Sequence, residues 1–165
     1  MIQKLDGGIY LYTAENGAKD AHRLEKAAEE FFSAASLPPQ KIEKAPSGKP
    51  YFLGEGLFLS PSHTEDFYAV AFAPFPIGLD VEREDREKKR VAEKYFDEEE
   101  SRFSFSFVWT AKEAVTKLTG EGLSAVCRVR VFSQEEAFLD GETYNLITFS
   151  ERGFRFTLAR RKKKK

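Results

Sequence analysis

The chain has 165 residues, 41% apolar or aromatic and 32% charged, which is the balance of a folded globular protein rather than a disordered or fibrous one. No apolar run approaches the roughly 20 residues of a membrane helix, and the single cysteine, Cys127, excludes an internal disulfide. The net charge of -1 hides an asymmetry: eight of the 26 Lys and Arg residues lie from Arg152 onward, beyond the last acid, so residues 1–151 hold 18 bases against 27 acids. An acidic body speaks against a nucleic-acid-binding domain, whose basic residues would line a face of the fold itself. Arg160 to Lys165 reads as a disordered basic tail. The opening Met1-Ile2-Gln3-Lys4-Leu5-Asp6 lacks a basic region followed by an apolar run, so no secretory signal is expected and a cytoplasmic location follows.

In chain order, Gly8 to Tyr12 predicts a strand and Glu15-Asn16-Gly17 a turn. Leu24, Ala27, Ala28, Phe31 and Phe32 recur at helical spacing from Asp20, and Pro38-Pro39 stops the helix after Ser36. Ala45 to Pro50 is a loop ahead of a short extended piece at Tyr51-Phe52. Phe67 to Ala73 predicts a strand apolar on both faces. Pro74 and Pro76 separate it from a second strand at 77–82, expected as its hairpin neighbour. A charged helix is expected over Glu84 to Lys94, with Val91, Tyr95 and Phe96 as its buried contacts, and Asp97 to Glu100 as the acidic start of the next helix. Strands are predicted at Val126–Phe132, Tyr144–Phe149 and Phe154–Ala159. This order suggests an α+β fold with largely antiparallel pairing.

Two stretches carry chemistry. In Ile77-Gly78-Leu79-Asp80-Val81-Glu82 a strand sends both carboxylates to one face and both aliphatics to the other. Two acids on one face repel, and a hard cation such as Mg2+ relieves that repulsion. In Trp109-Thr110-Ala111-Lys112-Glu113-Ala114-Val115-Thr116-Lys117 helical spacing puts Val108, Ala111, Val115 and Leu118 on one stripe, and Trp109, Glu113 and Lys117 opposite. That helix offers a third carboxylate and a cation one turn apart. Taken alone, Asp80 and Glu82 are also compatible with a solvent-facing strand edge, and Glu113 with Lys117 an ordinary i,i+4 pair.

Three blocks occur in a fixed order: Gly48-Lys49-Pro50, Ile77 to Glu82, and Trp109 to Glu113 with Lys117; Ser62-His63 lies between the first two. In these residues the chain resembles the 4'-phosphopantetheinyl transferases, closest to the surfactin-synthetase-activating, monomeric type. The resemblance covers roughly residues 45 to 125. It implies a pseudo-twofold pair of similar α/β halves, an N-terminal half at 1–75 and a C-terminal half at 76–165 carrying the metal site. It implies transfer of the phosphopantetheine arm of coenzyme A to a serine of an apo acyl- or peptidyl-carrier protein, releasing adenosine 3',5'-bisphosphate. It further implies that Asp80, Glu82 and Glu113 hold Mg2+ (or Mn2+) and that Lys117 reaches the pyrophosphate. Glu113 would accept the serine proton, Lys49, Ser62 and His63 would contact coenzyme A, and Lys19, His22 and Arg23 would bind its 3'-phosphate. Ser60-Pro61 stands where the family has Asn-Ile. A binding-only relative and an unrelated acidic-strand metal or nucleotide module are the alternatives.

Overall fold

The computed structural model describes residues 1–65 and 67–164, and the chain divides into two compact units, Met1–Ile77 and Gly78–Lys165. The fold is α+β, with every strand pairing antiparallel.

In the first unit, β1 (Ile2–Lys4), β2 (Tyr10–Ala14), β5 (Phe58–Thr64) and β6 (Phe67–Ala73) form one sheet in the order β1-β2-β6-β5. A separate hairpin pairs β3 (Ile42–Lys44) with β4 (Pro50–Phe52). Helix α1 (Arg23–Ala35) follows the expected periodicity and buries Ala27, Ala28, Phe31 and Phe32. It ends at Ser36, whose left-handed conformation (φ 55°) lets its N–H reach the Phe32 and Ser33 carbonyls. The core here is a stack of rings: Phe31 lies parallel to Phe72 with centroids 4.4 Å apart, and Phe32 and Phe52 close around them.

In the second unit, β7 (Gly78–Arg83), β8 (Arg130–Val131), β9 (Glu136–Leu139), β10 (Glu142–Glu151) and β11 (Phe154–Arg161) form a sheet in the order β7-β11-β10-β9-β8. A short helix, α2 (Lys89–Tyr95), precedes the long helix α3 (Phe105–Thr119), which packs on β7 and β11. Ser104 caps α3 by accepting from Phe107 N, and Gly120 ends it at φ 77°.

Several expectations are corrected. The strands at 67–73 and 77–82 are not hairpin neighbours: β6 is flanked by β2 and β5 and β7 by β11, and the two prolines between them bar the tight, ladder-continuing turn a hairpin needs. The charged helix starts at Lys89 rather than Glu84, because Arg83 to Arg86 form a turn in which Arg86 N donates to Arg83 O; Val91, Tyr95 and Phe96 are only half-buried. The acids at 97–100 do not begin α3; Asp97 and Glu100 exchange side-chain bonds to each other's backbone N–H around a separate 3-10 turn. The strand expected over Val126–Phe132 is mostly a 3-10 stretch, Leu123–Arg128, and only Arg130–Val131 pair. Arg160 and Arg161 belong to β11, and beyond it Lys162 and Lys164 pair with Glu136 and Glu142. Arg160 and Arg161 thus continue the sheet, against the expected tail, and Lys162 and Lys164 lie beside acids of β9 and β10; Lys165 lies outside the described residues.

Candidate active site

The alternation along β7 is as its sequence predicts: Leu79 and Val81 are buried on one face, and Asp80 and Glu82 share the other with Gly78. What the alternation leaves open is what covers the acidic face. Helix α3 does. A Cβ at Gly78 would lie 1.9 Å from the Ala114 carbonyl oxygen and 2.9 Å from Leu118 N, so glycine alone lets the helix backbone press onto the strand. The contact continues where Thr157, the register partner of Asp80, meets Thr110 of α3 at 2.7 Å between hydroxyl oxygens.

This close approach gathers three charged groups. Lys117 Nζ donates to Asp80 Oδ1 at 2.7 Å. Glu113, one turn earlier, is pushed up to about 7, first by burial and then by the negative charge of Asp80, with Lys117 acting against both. Asp80 and Glu82 are 7% and 5% exposed, so neither is the solvated strand edge that the bland reading required. Glu82 takes a different partner: its Oε1 accepts from Arg83 N at 2.8 Å and Arg86 Nη1 at 3.0 Å. Among the described residues no three His, Cys, Asp or Glu side chains are drawn together as a metal-binding group.

One residue of the Trp109 block has a role that spacing does not reveal. Lys112, 1% exposed, points away from Glu113 and donates to Glu100 Oε2 (2.9 Å) and to the Val129 carbonyl. Glu100, equally buried, also accepts from Val131 N and Asp97 N. A buried pair so fully bonded fixes the turn of α3 that bears Glu113. The signal was a lysine beside an apolar stripe with an acid run twelve residues upstream. Trp109 is half-buried and stacks on Phe105.

In the first unit the expected contacts separate. Ser62 and His63 are successive residues of β5, so they face opposite sides: Ser62 is buried and His63 exposed. His63 lies opposite Tyr68 in register, and the Arg23 guanidinium sits 4.9 Å from the Tyr68 ring, so Arg23, Tyr68 and His63 share one face. Tyr68, which sequence reasoning read only as strand core, thus links two candidates; burial pushes its phenol up to about 12. Lys49 is half-buried at the end of the Ala45–Lys49 turn, and burial pulls its ammonium down. Lys19 and His22 are exposed ahead of α1.

Residues 76–161 match the family model of the 4'-phosphopantetheinyl transferase superfamily. The chain belongs to this superfamily. The match takes in β7, α3 and the whole of the second sheet, that is, the elements that bring Asp80, Glu113 and Lys117 together. The 4'-phosphopantetheinyl transferase gsp of Aneurinibacillus migulanus is 29% identical over 101 residues, 53% of this chain and 42% of that protein. A Haemophilus influenzae protein, provisionally named as a 4'-phosphopantetheinyl transferase, is 27% identical over 111 residues, 58% of this chain and 47% of its own length. The matched regions thus span less than half of either curated relative.

Proposed function

We propose that this chain transfers the 4'-phosphopantetheine group of coenzyme A to a serine of an apo acyl- or peptidyl-carrier protein. The observation that carries the reading is the approach of α3 to β7 across Gly78, which sets Glu113 and Lys117 against Asp80. Membership of the superfamily supports the reaction class.

The donor set fits a hard divalent ion. The charge of Asp80 helps lift Glu113 toward neutrality even with Lys117 beside them, and a dication would offset both carboxylates. Asp80 and Glu113 would hold Mg2+, with Glu82 as the third carboxylate; Mn2+ suits the same oxygens. Bound there, the ion would neutralise charge on the pyrophosphate leaving group. Lys117 would donate to the same pyrophosphate, and the Glu113 carboxylate would take the proton from the attacking serine hydroxyl. Lys49, half-buried at the end of its turn, is assigned a coenzyme A phosphate on the strength of the family resemblance. Within the first unit, Lys19, His22, Arg23 and His63 are assigned to coenzyme A phosphates by the resemblance, Arg23 lying against the Tyr68 ring; Ser62 is on the opposite face of β5 from His63.

Intact-protein mass spectrometry of apo carrier proteins incubated with the chain and coenzyme A tests this. One added phosphopantetheine mass with Mg2+ and none with EDTA is the expected result. A folded chain that binds coenzyme A yet modifies no carrier of any class would overturn transfer in favour of binding alone.

A further inference from the structure

Glu82 is the carboxylate whose surroundings disagree most with a simple three-acid cage. It shares the α3-facing side of β7 with Asp80, yet its Oε1 lies 3.0 Å from Arg86 Nη1. The two partners are solvated very differently, the Arg86 side chain being 33% exposed and that of Glu82 7%. Arg86 sits on the turn after β7, three residues before α2 begins, so no helix fixes its backbone. Glu82 has no such freedom, since β7 is locked to β11 along its whole length. A second guanidinium stands opposite: Arg155, the register partner of Glu82, is bonded instead to Glu84 and keeps its Nε buried without a partner among the described residues. Arg155 is thus engaged by Glu84, and an ion that approaches Glu82 meets Arg86 already in place.

We infer that Arg86 is a latch on Glu82 that competes with the divalent ion for this carboxylate and so sets the metal affinity of the site. With the latch closed Glu82 is withheld from the ion; with Arg86 released it is offered to it. A buried carboxylate cannot be left without a cation at small cost, so the guanidinium leaves as the ion arrives. The inference rests on the metal reading above.

The test is Mn2+ binding, followed by electron paramagnetic resonance of the free ion, for the unaltered chain, Arg86→Ala, Arg86→Gln, Glu82→Gln and the Arg86→Ala/Glu82→Gln double variant, with circular dichroism as the folding control. Both Arg86 variants should bind Mn2+ tighter by about two- to fivefold, the range of a partly exposed ion pair. The gain should vanish in the double variant, which should match Glu82→Gln alone. Affinity unchanged or weakened in both folded Arg86 variants overturns the latch and leaves the metal reading standing. Absence of Mn2+ binding in every folded form overturns the metal reading and the latch together, whereas binding seen only after Arg86 is removed supports both.

Discussion

Helices α1 and α3 each lie on an antiparallel sheet of their own unit, but they bury different chemistry. α1 buries four residues, two alanines and two phenylalanines, and keeps its charges in water. α3 buries ten, among them Ser106, Thr110, Lys112 and Thr116. The exposed pair of Lys26 and Asp20 at the start of α1 is an ornament of a solvated face, whereas Lys112 and Glu100 are almost wholly removed from water. The lesson is that a helix held only by apolar packing tolerates small shifts, while one tied by buried, directional bonds keeps a particular turn in a particular place. The turn so held is the one that carries Glu113.

The sharpest break in this contrast is Asp80→Ala, which should abolish carrier modification in the mass-spectrometric assay while melting temperature stays close to that of the unaltered chain, because the site is lost and the packing is not. Lys112→Met leaves Glu100 buried without its cation and should cost about 3–5 kcal/mol in chemical denaturation. Adding Glu100→Leu should recover much of that loss; if it does not, the pair acts through something other than charge. Gly78→Ala forces a methyl into the Ala114 carbonyl and should cost about 2–3 kcal/mol, with transfer falling further than stability because Glu113 is displaced from Asp80.

A subtler effect concerns Glu113 in the metal-free chain. Its carboxyl is raised from 4.5 to about 7 in the folded state, so the native protein retains a proton that the unfolded chain has released. Stability in EDTA therefore falls as pH rises from 4.5 to 7 and stays lower above. Glu113→Gln removes that loss: denaturation at pH 8 should find the variant more stable by about 1–3 kcal/mol, with no difference near pH 4. A variant less stable at pH 8 would refute the burial of that charge. The smallest effect is expected at the other helix, where Lys26→Ala breaks the exposed pair with Asp20 and should leave the melting temperature unchanged.

Local periodicity accounts for much of what sequence could reach. The stripe of Val108, Ala111, Val115 and Leu118 marked α3, the spacing of Phe31 and Phe32 marked α1, and the alternation in 79–82 put Asp80 and Glu82 on one face, because side-chain direction in a helix or strand follows from backbone geometry alone. Short strands were harder: β1, β3, β5 and β9 were missed since three to seven residues carry little pattern, the more so with Lys in β1 and β3 and Pro and Ser in β5. The pairing of β7 with β11, seventy residues later, was out of reach, because register is decided by long-range packing rather than by either strand.

The sequence by itself determined which residue types could do this chemistry: two carboxylates on one strand face, a third with a lysine one helical turn away, and a glycine before them. Only the tertiary structure decided their company. It laid α3 on the acidic face through Gly78, gave Asp80 to Lys117 and Glu82 to Arg86, turned Lys112 inward to Glu100, and set Ser62 and His63 on opposite sides of β5. The reason is physical: a side chain's direction is local, but its partner, its burial and hence its charge depend on which distant segment is packed against it.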